Sequence, residues 1–208
     1  MGRLLNGPNG PFVGKAGSYI GYTVNGVGYI KGLYKRRTKA PTEKEALNRE
    51  KFAVAQHWLQ PLLQSVRIGF KGYNEKFQGF AAAKSYLMNN AMEVLDGKII
   101  INPELVKVSS GSLPLPKNIE CTFQEPGTFC FNWTPDIGTD REAQTIAVVY
   151  DLTNKQNMGF TFGSSAYSGK YEVYIGNPSG KTYLIYLAFV AADRSRQSDS
   201  IYLGRFDF

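Results

Sequence analysis

Residues 12–37 carry the first strand-like pattern of the chain. In it, aromatic and β-branched residues are mixed with glycines and polar residues. Two β-prone runs, residues 18–24 and 27–31, flank the pair Asn25-Gly26. An Asn-Gly pair favours a type I′ turn, because both central residues of that turn need a positive φ. The sequence therefore predicts a β-hairpin. A two-stranded hairpin is only marginally stable alone, so we expect it to pack against the segment that follows.

A helical spacing of apolar residues begins after Pro41. Thr42 precedes Glu45 by three residues, which is the spacing of a capping box at a helix start. Pro61 has no backbone N–H to donate, so it should end or kink this helix. The apolar positions that share one face are Leu47, Val54, Ala55, Trp58, Leu59 and Leu62.

A second helix is predicted over about residues 74–93. Its stripe consists of Phe77, Phe80, Lys84, Leu87 and Ala91. Lys84 is the one residue of the stripe that is not apolar. Residues 96–97 (Asp-Gly) predict a turn, and the β-prone run 98–101 follows. Residues 109–116 are rich in Ser, Gly and Pro, and they are the predicted linker.

Short strands dominate the remaining sequence. The candidates are Ile119–Phe123, Thr128–Trp133, Thr145–Leu152, Met158–Phe162, Tyr171–Ile175, Tyr183–Ala191 and Ser200–Phe206. Seven short strands separated by turn residues within about 95 residues are typical of an antiparallel β-sandwich.

Three segments of this half resemble a fibronectin type III domain. Residues 113–116 (Leu-Pro-Leu-Pro) precede a strand, and a later strand ends in residues 133–135 (Trp-Thr-Pro), as at the opening of such a domain. Residues 182–189 resemble its penultimate strand, in which an early tyrosine commonly makes the tyrosine corner. The resemblance makes Tyr183 the first candidate for that tyrosine and Tyr186 the second.

The first half of the chain is similar to an uncharacterised family from Bacteroidetes. The similarity lies in residues 6–17, 35–43, 49–56, 69–73, 85–86 and 90–91, all in the N-terminal half. That family has no known activity, and the resemblance therefore implies an architecture and not a function. A looser likeness exists to prophage-encoded proteins with a basic Thr-rich segment, a helix and a sandwich.

These patterns predict an α+β fold in two parts. Residues 1–108 form a basic region with an N-terminal β-hairpin plus helices. Residues 109–208 form an antiparallel β-sandwich of the immunoglobulin/fibronectin III-like kind.

Positive charge is concentrated in the first part. Residues 1–110 contain 16 Lys and Arg against 7 Asp and Glu, whereas residues 111–208 contain 8 against 10. Within residues 31–39, cationic side chains are interleaved with aromatic ones and could neutralise phosphates while tyrosines stack on bases. The alternative is a strand edge that lysine and arginine merely keep soluble. The candidate polyanion contacts are Lys31, Lys35, Arg36, Arg37 and Lys39.

The sequence offers little for catalysis or for binding a metal or a cofactor. His57 is the only histidine, and no nucleophile elbow accompanies it. Residues 176–182 resemble a phosphate-binding loop but are one residue short and precede a strand, so a turn is favoured. The acidic clusters Asp136, Asp140, Glu142 and Asp193, Asp199 are interpreted as solvated turns. We expect no enzyme activity, no cofactor and no metal.

Cys121 and Cys130 fall on opposite faces of neighbouring predicted strands. Strand alternation directs Cys121 inward with Ile119 and Phe123, and it directs Cys130 outward. A disulfide between opposite faces would distort the sheet, so two free thiols are predicted, with Cys121 buried and Cys130 exposed.

Two classes of function stay open. The first is a non-enzymatic binding or structural module that contacts a protein or a glycan. The second is a nucleic-acid-associated protein, of prophage or virion origin, that uses residues 31–39. No membrane span and no signal peptide are recognisable, so we expect a cytoplasmic protein, with export by another route left open. The oligomeric state is not predicted.

Overall fold

The structure is a computed structural model that describes residues 2–4, 10–24, 26–35, 38–74, 78–136 and 140–208. The chain divides into two compact units, Met1–Glu43 and Lys44–Phe208. The predicted turn residue Asn25, the predicted contacts Arg36 and Arg37, and Phe77 of the predicted stripe lie outside the described residues.

The N-terminal unit is a four-stranded antiparallel sheet with the order β1-β2-β3-β4. Its strands are β1 (Arg3–Leu4), β2 (Phe12–Ala16), β3 (Tyr19–Val24) and β4 (Val27–Gly32). Pairing of Val24 with Val27 confirms the hairpin between β3 and β4. The hairpin gains β2 as a strand partner within its own unit, and β1 pairs with the other edge of β2.

Two glycines let the chain fold closely over one face of this sheet. A Cβ atom on Gly21 would overlap the carbonyl oxygen of Phe12, and one on Gly28 would lie 2.5 Å from the Cβ of Pro11. Any side chain at either position would therefore displace the Pro11-Phe12 segment. The Pro11-Phe12 segment therefore covers this face at Gly21 and Gly28, whereas Tyr19 and Ile30 of the same face are exposed.

The C-terminal unit begins with helices. They are α1 (Glu43–Leu59), α2 (Leu63–Gly69) and α3 (Gly79–Asn90). Helix α1 ends two residues before Pro61, as predicted, and the 3₁₀ turn Gln60–Leu62 then carries the chain into α2. Proline fits the start of that turn, where its missing N–H breaks no hydrogen bond.

The stripe on α3 accommodates its lysine through aromatic contacts. The Lys84 ammonium lies 3.7 Å from the ring centroid of Phe52 and 5.5 Å from that of Phe80. It also donates a hydrogen bond to the Gln56 amide oxygen at 3.0 Å. The helix ends at Asn90, three residues before the predicted end, because β5 (Met92–Leu95) pairs with β6 (Lys98–Ile101) around the predicted Asp-Gly turn.

Eight strands follow and form two antiparallel sheets. They are β7 (Lys117–Gln124), β8 (Thr128–Thr134), β9 (Gln144–Asp151), β10 (Gln156–Asn157), β11 (Thr161–Ser165), β12 (Lys170–Tyr174), β13 (Thr182–Val190) and β14 (Ile201–Asp207). One sheet has the order β12-β8-β7, and the other has the order β10-β9-β13-β14 with β11 also paired to β9. The predicted strand Met158–Phe162 is split, because Gly159 packs against the backbone of Ala147 between the two short strands.

The two sheets share a buried core. Phe129, Phe131 and Trp133 from β8 pack in the same cluster as Val149 and Ile185 of the facing sheet. Strand alternation directs the neighbouring residues of β9 and β13 to the other side of their sheet.

Those neighbouring residues belong to a second core, made with the helices. Val148, Tyr150, Leu184 and Tyr186 pack in one cluster with helical residues such as Leu59. Strands β9 and β13 are therefore buried on both faces, which explains their nearly continuous apolar sequence. Because helices and sheet share this core, the division of the chain falls at residues 43–44, and it differs from the predicted boundary at residues 108–109.

The predicted linker is a tightly packed segment. Ser109 is fully buried, and its hydroxyl lies 2.6 Å from the carbonyl oxygen of Ser198 and 3.2 Å from that of Gly69. A Cβ on Gly111 would overlap the carbonyl oxygen of Gln197. The prediction of a linker is wrong here, because small residues also permit close approach between backbones.

The cysteines are free thiols, as predicted. Cys121 is half-buried and packs with the inter-sheet core, which confirms its inward direction. The predicted exposure of Cys130 is wrong, since only 5% of it is accessible. Strand β8 is the central strand of its sheet, and Cys130 lies between Thr122 and Glu172 of the flanking strands.

The tyrosines of β13 have different surroundings. Tyr183, the first candidate for a tyrosine corner, packs in the inter-sheet core. The hydroxyl of Tyr186 donates a hydrogen bond at 2.8 Å to the carbonyl of Pro103, in the 3₁₀ turn Pro103–Leu105. That bond ties β13 to the segment after the helices, and it is not the local bond of a tyrosine corner.

Candidate polyanion-binding surface

The register of the N-terminal sheet places cationic and aromatic side chains on the face that the chain does not cover. Residues directly opposite each other in antiparallel strands lie on the same face. Lys15 is opposite Ile20, Tyr22 is opposite Tyr29, and Val24 is opposite Val27. We call this surface the aromatic-basic face. Its residues are Lys15, Ile20, Tyr22, Val24, Val27, Tyr29 and Lys31.

The centre of the aromatic-basic face is a tyrosine pair. The rings of Tyr22 and Tyr29 are stacked, with centroids 5.5 Å apart and planes inclined by 20°. The Lys31 ammonium lies over the Tyr22 ring, 5.1 Å from its centroid. Tyr22 is 37% exposed and Tyr29 is 46% exposed. An ordered pair of aromatic rings is therefore open to ligands.

Aliphatic side chains extend the exposed surface towards the hairpin turn. Val24 is 48% exposed and Val27 is 55% exposed. Valines on a strand normally bury one side against a core. Their exposure here makes the face suited to contact with a ligand.

Acidic residues are absent from the first 39 positions of the chain. Residues 1–39 contain seven Lys and Arg and no Asp or Glu. Among the described residues, Lys15, Lys31 and Lys35 form no ion pair. All three lysines are exposed.

The predicted contact residues are distributed unevenly. Lys31 lies on the aromatic-basic face, while Lys35 and Lys39 are exposed beyond the end of β4. Arg36 and Arg37 lie outside the described residues. Lys15 and Tyr22 also belong to this surface, although neither was predicted from the sequence to do so. Strand alternation is the sequence feature that could have identified them, because it places both residues on the same face as Lys31.

The residues of the other candidate sites are not brought together in the described part of the chain. His57 is exposed on α1. Residues 176–182 form a turn that leads from β12 directly into β13 and is closed by a hydrogen bond from the Lys181 ammonium to the Asn177 carbonyl. Within the residues that the structure describes, no three His, Cys, Asp or Glu side chains are placed to share a metal ion.

The acidic clusters have two different environments. Asp136 pairs with Lys117 at the surface, and Asp193 accepts hydrogen bonds from Ser195. The Asp199 side chain is 45% exposed, and it also binds the side chain of Lys107 and the segment around residue 110. This aspartate has a structural role.

Comparison with known proteins identifies the family. A family model matches residues 11–204, which includes both units. The chain belongs to DUF6266, a family of unknown function. No curated protein matches the chain. The match to DUF6266 agrees with the resemblance to an uncharacterised family.

One exclusion concerns membranes. In the described part of the chain, no helix combines the length and the apolar composition that a bilayer crossing requires.

Proposed function

We propose that this DUF6266 protein is a non-enzymatic binding protein whose aromatic-basic face binds an anionic polymer, with nucleic acid as the best-fitting class. The observation that carries the proposal is the stacked pair Tyr22 and Tyr29 beside Lys31, in a segment of the chain without acidic residues. Lysines that bind phosphates release the counterions condensed on the polymer, and exposed aromatic rings add contact area for the bases.

A protein or glycan contact through the C-terminal unit is the second candidate. Its support is a set of aromatic side chains exposed on the two-sheet part. Phe160 is 64% exposed, Tyr167 is 60% exposed and Tyr174 is 68% exposed. Single exposed aromatic residues are common on proteins, so this observation is weaker than an ordered cationic and aromatic surface.

We also propose that residues 109–208 are an immunoglobulin/fibronectin III-like sandwich. Three strands in one sheet and the remaining strands in the other, with β9 and β13 adjacent, support this topology. A reducing, cytoplasmic environment is supported by the free thiols, Cys121 and Cys130. An origin in Bacteroidetes and a prophage or virion setting remain proposals that rest on sequence resemblance.

Salt-dependent binding tests the proposed function. Fluorescence anisotropy of the full chain with a labelled oligonucleotide should show binding at low salt that weakens steeply as NaCl increases. The double variant Lys15→Gln/Lys31→Gln should lower the slope of log K against log salt by about one per lysine. The matched control is Lys98→Gln, an exposed strand lysine in the C-terminal unit, and it should leave binding unchanged. Absence of binding at low salt contradicts the proposal.

A further inference from the structure

One ring face of the tyrosine pair has no aromatic or cationic neighbour among the residues that the structure describes. Tyr22 is contacted on its ring by Tyr29 and by Lys31. Among the described residues, Tyr29 has one such ring contact, the stacking on Tyr22. We call the face of Tyr29 that is turned away from Tyr22 the open ring face; Tyr29 as a whole is 46% exposed.

The position of Tyr29 in the sheet explains why that face is open. Strand β4 is the last strand in the order of its sheet, and its described pairing is with β3 alone. The side chains of neighbouring strands normally cover an aromatic ring from both sides. On β4 the outer side has no strand to do so. All six residues of β4 are exposed.

We propose that the open ring face of Tyr29 stacks on one unpaired base, so that the protein prefers single-stranded nucleic acid over duplex. The base would stack on Tyr29 at the edge of the sheet and so add a third ring to the stack of Tyr22 and Tyr29. The inference rests on the proposed function and adds the form of the nucleic acid to it. Lys15, Lys31 and Lys35 would contact phosphates on either side.

Duplex nucleic acid cannot use this contact in the same way. Each base of a duplex is already stacked between its neighbours, and removing it from the stack requires a few kcal/mol. An unpaired base has a free π-face, and stacking on an aromatic side chain is worth about 1–3 kcal/mol per base. That range corresponds to about 5- to 150-fold in affinity.

The test compares three ligands of equal length on the full chain. They are oligo-dT, an abasic oligonucleotide with the same phosphate backbone, and a mixed-sequence duplex. We expect oligo-dT to bind about 5- to 150-fold more tightly than the abasic strand at the same salt. Duplex should compete more weakly than oligo-dT. Equal affinity for oligo-dT and the abasic strand overturns the stacking inference and leaves the proposed function standing.

Variants separate stacking from charge. Tyr29→Leu should remove the difference between oligo-dT and the abasic strand, whereas Tyr29→Phe should keep it, because phenylalanine retains the ring. Tyr19→Leu is the matched control, since Tyr19 is 58% exposed and lies opposite Gly32, off the aromatic-basic face. A wild-type preference that survives in Tyr29→Leu overturns the inference. Failure of all three ligands to bind at low salt overturns the proposed function as well.

Discussion

The Lys107 ammonium donates a hydrogen bond to the Asp199 carboxylate at 2.6 Å. The other carboxylate oxygen accepts from the hydroxyl of Ser110 and from the backbone N–H of Gly111, both at 3.1 Å. Asp199 therefore joins the connection between β13 and β14 to the segment that precedes β7. This contact holds in place the region that the sequence suggested was a linker.

Loss of the Asp199 charge should destabilise the C-terminal unit. Burial alone would raise the pKa of Asp199, but hydrogen bonds from Lys107, Gly111 and Ser110 offset burial and lower it below its ordinary value. We expect Asp199→Asn to lower the free energy of unfolding at pH 7 by about 1–2 kcal/mol, after allowance for solvent screening. Urea denaturation measures this difference.

The same variant has a defined pH dependence. Because the folded-state pKa of Asp199 lies below the unfolded value, its stabilisation is present above about pH 4 and is lost as pH falls through the folded-state pKa. The difference between wild type and Asp199→Asn should therefore shrink at acidic pH. A double-mutant cycle with Lys107→Met isolates the ion pair. A difference that does not vary between pH 7 and pH 3 contradicts this account.

Two buried serines should respond differently to alanine. Ser109 and Ser65 are both fully buried. The Ser109 hydroxyl is hydrogen-bonded to backbone carbonyl oxygen, whereas the Ser65 hydroxyl has no partner among the described residues. Ser109→Ala should destabilise the fold by about 1–3 kcal/mol, because it leaves a buried carbonyl without its donor. Ser65→Ala should be neutral or slightly stabilising. Thermal unfolding compares them, and equal losses of stability would contradict the hydrogen-bond assignment.

Alanine substitutions of glycine test the packing of the N-terminal sheet. Gly21→Ala should disrupt this unit, because its Cβ would overlap the Phe12 carbonyl oxygen. Gly32→Ala should be tolerated, since nothing lies within 4 Å of a Cβ at that position. Hydrogen exchange of the amides of β3 and β4 reports the difference. Protection that is unchanged in Gly21→Ala would show that the Pro11-Phe12 segment does not cover the sheet.

The thiols should be unreactive in the folded protein. Burial, followed by the charge of Cys130, raises the pKa of Cys121 to about 12. Burial also raises the pKa of Cys130, with Glu172 acting in the same direction and Lys170 against it. Because the thiolate is the reactive form, we expect iodoacetamide at pH 8 to label both thiols slowly until urea unfolds the chain. Rapid labelling of Cys130 in the native protein would instead support its predicted exposure.

Much of the local structure could be predicted from the sequence. The hairpin signal, the helical stripe through Leu59 and the strands of the C-terminal half depend on short-range spacing, which is visible in the chain. The role of residues 109–111 could not be read in this way. Their Ser and Gly residues are equally consistent with a flexible linker and with close backbone packing, and the choice depends on Gly69 and Gln197, which are distant in sequence.

The candidate surface was predictable only in part. Lys31 stood out because cationic residues cluster after it in the sequence. Lys15 and Tyr22 join it through strand register, which depends on pairings that a single sequence does not display. The location of the open ring face of Tyr29 also depends on the order of strands in the sheet. The composition of the sequence therefore predicted the positive charge. Only the strand order and register show which side chains share one face.

The most direct test of the account is an NMR titration of the full chain with oligo-dT at low salt. Amide chemical shifts should change most in residues 19–32, and added NaCl should reverse those changes. Shifts that are confined to strands of the C-terminal unit, or a spectrum that does not change, would contradict the assignment of the aromatic-basic face as the binding surface.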